Sequence, residues 1–309
     1  MKQYLDLLQR IISDGQYKDE TRGQPTMYRF DERLRVSLDK GAPIITTRKV
    51  RWKNLIVELL WLISGEGSIE PMLKEDVSFW KPWADENGRI ESYGQFWRSL
   101  PISIGESGDI ERRRANLPVS FKDGKPFLNP SSHKFIHEEN EWWGFDQLAY
   151  VIWLLKNQPY SRRIKLDQWV PQNAFASSLP PCPCHILFDV LPPKENVEEP
   201  TLNLQVWQRS ADVPVGVTYN LGVYGTFGIL MANEVGMRPG EISFSFTNAH
   251  IYEDQIADVL RQIRRKPLNR PYLMTNIEKP MVDWEVSDYE KFAIVDYSHH
   301  APIHYSVQK

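Results

Sequence analysis

Apolar positions recur along this chain with two different periods, and they divide it into helices and strands. Over Met1–Ser13, Tyr4, Leu5, Leu8, Ile11 and Ile12 return every three or four positions, which predicts an amphipathic helix stopped by Gly15. Tyr17–Pro25 is polar and turn-rich and predicts no regular element. Tyr28–Leu38 alternates through Tyr28, Phe30, Leu34, Val36 and Leu38 and predicts strands. Lys49–Ile63 carries the widest apolar face, with Trp52, Leu55, Ile56, Leu59, Leu60 and Ile63, and predicts a helix. Further helices are predicted over Phe145–Lys156, over Leu221–Val235, which is apolar on most sides, and over Ile251–Arg265. Strands are predicted over His185–Leu191, Leu202–Arg209, Glu241–Phe246 and Phe292–Tyr297. In Leu202–Arg209 one face takes Leu202, Leu204 and Val206. The other takes Asn203, Gln205, Trp207 and Arg209, which leaves Arg209 at a strand end.

Composition narrows the picture. The chain has 309 residues and a formal net charge of −3, which suits one large globular domain and argues against a nucleic-acid surface. No apolar run reaches transmembrane length, and the first segment is amphipathic rather than a signal peptide, so a cytoplasmic location is expected. Two cysteines in so long a chain are no disulfide framework. They stand in Cys182-Pro183-Cys184-His185 with no second cluster to complete a tetrahedral site, so no metal is expected. Leu100–Trp143 is polar and punctuated by Pro and Gly, and reads as a variable surface insertion.

The candidate chemistry centres on Leu179–Asn220. Pro180, Pro181 and Pro183 predict a stiff, exposed turn around the cysteines. A cysteine in this position is either an inert core residue or a nucleophile. Arg209, in the run Gln208–Gly216, is placed to meet a thiolate or a phosphate. Glu58 lies between Val57 and Leu59. It is either a solvated helical residue or a carboxyl at the apolar edge with a raised pKa, able to move protons near neutrality. Asp76–Arg98 holds Trp80, Trp83, Tyr93 and Trp97, which serve either core packing or a flat organic ligand. Arg162 and Arg163 are either a solvated pair or a phosphate fork.

With these residues in view the chain resembles the thymidylate synthase family. The matching stretches are Gly41–Val50, Val57–Trp61, Phe79–Gly88, Tyr93–Arg98, Ser161–Ile164, Pro183–His185, Gln208–Asp212, Asn220, and His250 with Tyr252, in that order. They cover most of the length and are weakest over Leu100–Trp143 and at the two ends. The resemblance implies a single α/β (α+β) domain over residues 1–309, a mixed sheet covered by helices, and an obligate homodimer packed sheet against sheet. It implies dUMP as substrate, 5,10-methylenetetrahydrofolate as cosubstrate and no metal. It makes Cys184 the nucleophile and Cys182 a bystander. Arg22, Gln208, Arg209 and Ser210 would serve the nucleotide, with Arg162 and Arg163 reaching in from a partner subunit. Asn220 would read the pyrimidine edge, and His250 and Tyr252 the sugar hydroxyl. Glu58, Trp80, Trp83, Tyr93, Asp212, Gly216 and Tyr219 would surround the folate and the reacting ring.

The chain departs from the family pattern at Glu20–Thr26, at Phe246–Ala249, at Arg51 and in the tail His304–Lys309. The expected reaction is reductive methylation of dUMP. The alternatives are a pyrimidine nucleotide 5-hydroxymethylase on the same scaffold and a non-catalytic nucleotide- or RNA-binding protein.

Overall fold

Tyr4, Leu7, Leu8 and Ile11 are fully buried along one side of the first helix, α1 (Lys2–Asp14), which ends at Gly15. The computed structural model describes residues 1–308 apart from 22, 91, 103–118, 123–124, 129–135, 139–142, 172–176 and 196, and apart from the side chains of 20–22 and 101–143. After α1 come β1 (Gln16–Thr21), β2 (Gln24–Ser37), α2 (Trp52–Ser64), α3 (Glu70–Lys74) and α4 (Gly94–Arg98). The region of the expected insertion contributes β3 (Leu100–Ile102), β4 (Val119–Lys122), β5 (Lys125–Leu128), β6 (Ile136–Glu138) and β7 (Trp143–Phe145). These form two small sheets, β3-β7-β6 and β4-β5, apart from the main one.

The second half follows with α5 (Gln147–Asn157), β8 (Lys165–Asp167), β9 (Pro183–Leu191), β10 (Thr201–Gln208) and β11 (Ala211–Asp212). A π turn over Val213–Val217 leads into α6 (Thr218–Glu234), then β12 (Arg238–Tyr252), α7 (Ile256–Ile263), β13 (Tyr272–Thr275) and β14 (Phe292–Val295). The main sheet has seven strands in the order β1-β2-β12-β10-β9-β8, with β11 pairing beside β12. The pairings of β10 and of β11 with β12 are parallel, and the rest are antiparallel. This is the mixed α/β domain expected.

One face of the sheet is buried because the strands alternate. Leu34 and Val36, Ile186 and Phe188, Leu204 and Val206, and Phe244 and Phe246 are all buried on the face that α1 and α6 cover, with α2 packed beyond α6. Both α2 and α6 are apolar nearly all round and lie inside the domain. Gly222 lets them approach, since a Cβ there would sit 2.6 Å from Leu55.

Four sequence expectations change. Tyr17–Pro25 was expected to be irregular, but most of it is β1, an edge strand whose polar residues are held by backbone pairing to β2. The helix expected over Ile251–Arg265 begins only at Ile256. β12 runs on to Tyr252, held by β2 as far as the pair Tyr252↔Thr26 and by β11 at His250. The cysteine segment is not an exposed turn. β9 begins at Pro183, and Pro183 and Cys184 are both buried. Proline is tolerated at a first strand position because its missing N–H interrupts no ladder there. Finally, the helical run Val213–Glu234 is long and apolar enough to cross a membrane, yet most of it is buried as a core helix.

Candidate active site

α2 carries Glu58 into the interior. Leu55 to Ile63 are buried on every side of it, and Glu58 itself is only 8 % exposed. Its Oε1 accepts the indole N–H of Trp80 at 3.1 Å. One hydrogen bond does not replace the lost water. Burial raises the carboxyl from 4.5 to about 7, with the Trp80 bond opposing. The solvated alternative for Glu58 is thereby excluded.

Trp80 packs edge-on against Tyr93, with ring centroids 4.8 Å apart. Tyr93 starts α4 at φ 57°, an uncommon conformation for a tyrosine. The next residue explains the placement: a Cβ on Gly94 would lie 2.7 Å from the backbone of Leu62, so only glycine lets α4 press onto α2. The Tyr93 hydroxyl is hydrogen-bonded by the Cys182 backbone. Glu58, Trp80, Tyr93 and the cysteine segment thus form one continuous chain of contacts.

Cys184 opens β9 and is 6 % exposed. Its carbonyl accepts the backbone N–H groups of Gln168 at 2.8 Å and Trp169 at 3.0 Å, which fixes the residue after β8. Arg209 follows β10. Its guanidinium donates to the carbonyls of Pro180 (2.8 Å) and Pro181 (3.1 Å), approaches Cys182 Sγ at 3.9 Å, and lies 5.1 Å over the Trp169 ring. The Cys184 thiol is raised, because burial outweighs the opposing backbone N–H and charge of Arg209. The sequence places Arg209 to meet a thiolate or a phosphate. The arginine does favour the thiolate, but desolvation is the larger effect here. Gln208 ends β10 fully buried, and neither polar atom of its amide has a hydrogen-bond partner.

Asp212 heads the π turn, where its Oδ1 accepts the Val215 N–H at 3.3 Å and its Oδ2 the Gln255 amide at 3.2 Å. Burial raises its carboxyl from 3.8 to about 7, against the Gln255 and Val215 hydrogen bonds. Through β11 Asp212 pairs with His250. His250 and Tyr252 are both buried, with rings 5.1 Å apart, and His250 Nδ1 lies 2.9 Å from Asn248 Oδ1. Tyr219 and Asn220 begin α6 half-buried, and the Tyr219 ring lies 6.0 Å from Phe79. A Cβ on Gly216 would meet nothing within 4 Å, so that position faces open space. Trp83 is half-buried.

A family model for thymidylate synthase matches residues 2–309. The chain belongs to the thymidylate synthase family. It is 31 % identical, over 305 residues and 98 % of both chains, to the thymidylate synthase of Mycoplasma pneumoniae (strain ATCC 29342 / M129 / Subtype 1).

Of the residues assigned by resemblance to thymidylate synthases, several converge through direct contacts: Glu58, Trp80 and Tyr93 on the cysteine segment with Arg209, and Asp212 with the His250 strand end. Arg162 and Arg163 do not join them within one chain. Both are exposed, and Arg163 borders a surface cavity of about 550 Å³ with Tyr150 and Tyr160. Ser210 is half-buried just beyond Arg209, and Arg22 lies outside the described residues. Among the described residues no three His, Cys, Asp or Glu gather as metal ligands do.

Two residues were missed. Arg48 is 7 % exposed, donates to Pro214 O at 2.9 Å, and leaves its Nε without a partner. It lines a cavity of about 400 Å³ with Lys49, Arg51, Tyr219 and His304. Its signal lay in the stretch Gly41–Val50, which supported the resemblance but received no role. The other is Gln255, which the sequence places inside a predicted helix with nothing to mark its side chain.

Proposed function

We propose that this chain methylates dUMP to dTMP, with 5,10-methylenetetrahydrofolate supplying both the carbon and the hydride. The observation that carries this reading is the buried carboxyl of Glu58, titrating at about 7 and linked through Trp80 and Tyr93 to the segment of Cys184. A group that titrates near neutrality can both accept and return a proton.

In this reading Cys184 adds as thiolate to C6 of the pyrimidine, which makes C5 nucleophilic. A substrate phosphate would draw the Arg209 guanidinium off the Pro180 and Pro181 carbonyls, with Ser210 beside it, and the resemblance adds Arg22 to the same phosphate. The unpaired amide of buried Gln208 offers a donor and an acceptor to the nucleotide or an ordered water. Asn220 reads N3–H and O4, since a carboxamide presents both a donor and an acceptor. His250 and Tyr252 bind the sugar hydroxyl. Glu58 handles the proton that leaves C5.

The residues present fit a reduced folate. Trp80, Trp83 and Tyr219 offer flat apolar surface, Gly216 leaves space, Asp212 offers a carboxyl for a pterin edge, and the free Nε of Arg48 suits an anionic tail. The exposed sheet face, with Arg33, Arg35, Gln205 and a Trp207 that is 39 % exposed, supports a sheet-to-sheet homodimer. Arg162 and Arg163, exposed and away from their own Cys184, would then serve the partner's nucleotide.

The test is the mass of the product from dUMP and methylenetetrahydrofolate, with the absorbance gain of dihydrofolate. dTMP with stoichiometric dihydrofolate is expected. A product heavier than dTMP by one oxygen, with no dihydrofolate, would install the hydroxymethylase instead.

A further inference from the structure

The carboxamide of Gln255 is where three parts of the site meet. Gln255 closes the short turn Glu253–Gln255 after β12 and is 1 % exposed. Its Oε1 accepts the backbone N–H of Tyr252 at 3.0 Å, anchoring it to the strand end that carries His250 and Tyr252. Its Nε2 donates to Asp212 Oδ2 at 3.2 Å and to the carbonyl of Ser306 at 3.0 Å. An amide nitrogen has two N–H bonds, and here both are engaged. One holds a carboxyl in the candidate folate pocket, and the other holds the C-terminal segment.

Other contacts of that segment include the Arg48 guanidinium, 5.3 Å over the Tyr305 ring, and several hydrogen bonds elsewhere. The Tyr305 hydroxyl donates to Gln262 Oε1 at 2.6 Å, Gln308 Nε2 to Asp254 Oδ2 at 3.1 Å, and the His300 N–H to Thr46 O at 2.9 Å. Ile303 is buried at 3 % exposure. These fasten the segment to α7, the turn before it and the residues ahead of α2. Among the described contacts, Gln255 is the one side chain that ties the segment to Asp212.

We propose that Gln255 is a positioning residue that locks the C-terminal segment onto Asp212 and so governs whether hydride or water reaches the one-carbon unit on the pyrimidine. The inference rests on the folate-dependent reading above. Without the Nε2 donor, Asp212 Oδ2 loses a partner and the exposed Ser306 loses its tie to the site. Both then turn to water, and the segment lifts from the pocket. Hydride transfer needs water excluded, whereas hydroxymethylation uses it. Where the Oε1 acceptor for Tyr252 is kept, the nucleotide side is held and the effect falls on the folate side.

Gln255→Leu removes both donors and the Oε1 acceptor at similar length. Gln255→Glu keeps the Oε1 acceptor for Tyr252 and loses the donors, so it leaves the turn capped if the leucine variant folds poorly. With the full-length enzyme, dUMP and methylenetetrahydrofolate, both variants should raise the folate KM about tenfold or more. The dUMP KM of Gln255→Glu should stay within about twofold, and in both variants the share of 5-hydroxymethyl product should rise. Deleting Ser306–Lys309 should do the same, and adding Gln255→Leu to that deletion should change little further, since both break one tie. Unchanged folate KM and product ratio in both variants, or effects that multiply with the deletion, would overturn the role of Gln255. A wild-type enzyme that makes no methylated product would instead sink the proposed function, before any variant is compared.

Discussion

Replacing Glu58 by Gln should make the protein more stable and almost inactive, and the pH dependence of the gain can be worked out. In the unfolded chain this carboxyl titrates near 4.5, and in the fold it titrates at about 7. Between those values the folded state holds a proton that the unfolded state has released. Stability therefore falls as pH rises through this window, and the whole penalty is present above it. At 1.36 kcal/mol for each tenfold in proton affinity, the penalty is ~3 kcal/mol. Gln keeps an oxygen for the Trp80 indole N–H, now 3.1 Å from Glu58 Oε1, but cannot ionise. Urea unfolding at fixed protein concentration should put the variant within about 1 kcal/mol of wild type near pH 5 and roughly 2–3 kcal/mol above it at pH 8. The turnover number should fall roughly a hundredfold to ten-thousandfold, the range for a lost general acid–base. A stability difference that does not vary between pH 5 and pH 8 would mean that the carboxyl is not desolvated as described. A stabilised variant with normal turnover would remove Glu58 from proton transfer.

Three other outcomes are expected. Cys184→Ala should abolish turnover yet keep most dUMP affinity, while Cys182→Ala keeps most activity; steady-state rates decide, and the reverse pattern would move the nucleophile by two residues. Mixing inactive Arg163→Ala and Cys184→Ala enzymes should restore activity, because a hybrid dimer holds one intact shared site. No recovery under demonstrated subunit exchange would count against sharing. Asn220→Asp should move preference from dUMP towards dCMP by about tenfold or more, because a site built for one ring edge leaves groups unpaired with the other. An unchanged ratio of kcat/KM values would take Asn220 out of base reading.

The helices α1, α2 and α6 were legible in the sequence because burial on one side or all round writes itself into apolar spacing. The strand β1 was not, because its side chains Gln16, Lys18 and Asp19 are polar and it is held by backbone pairing to β2, which spacing does not encode. The same cause hid the end of β12. His250-Ile251-Tyr252 reads locally as the start of a helix, but ladders to β2 and β11 keep it extended. At the site, the neighbours Val57 and Leu59 were enough to raise the desolvated reading of Glu58. The burial of Cys184 was not legible, because three prolines suggest an exposed turn whatever sheet they lead into. Gln255 could not be read at all: its meaning comes from Asp212 and Ser306, both distant in sequence.

The parallel pairing of β10 with β12 also has a consequence in time. Parallel neighbours cannot be joined by a hairpin, so between Gln208 and Arg238 the chain runs through the short strand β11, the π turn and α6 before β12 pairs with β10. Arg209, Ser210, Asp212, Gly216, Tyr219 and Asn220 all lie on that excursion. Closing it is a non-local event, slower than forming the β9–β10 pair, whose strands are close in sequence. During refolding, binding of dUMP should therefore return with the closure of the sheet centre and not with the earlier helical signal. A chain nicked between Asn220 and Arg238 should lose the nucleotide site and the middle of its sheet together, with no partly folded form that still binds.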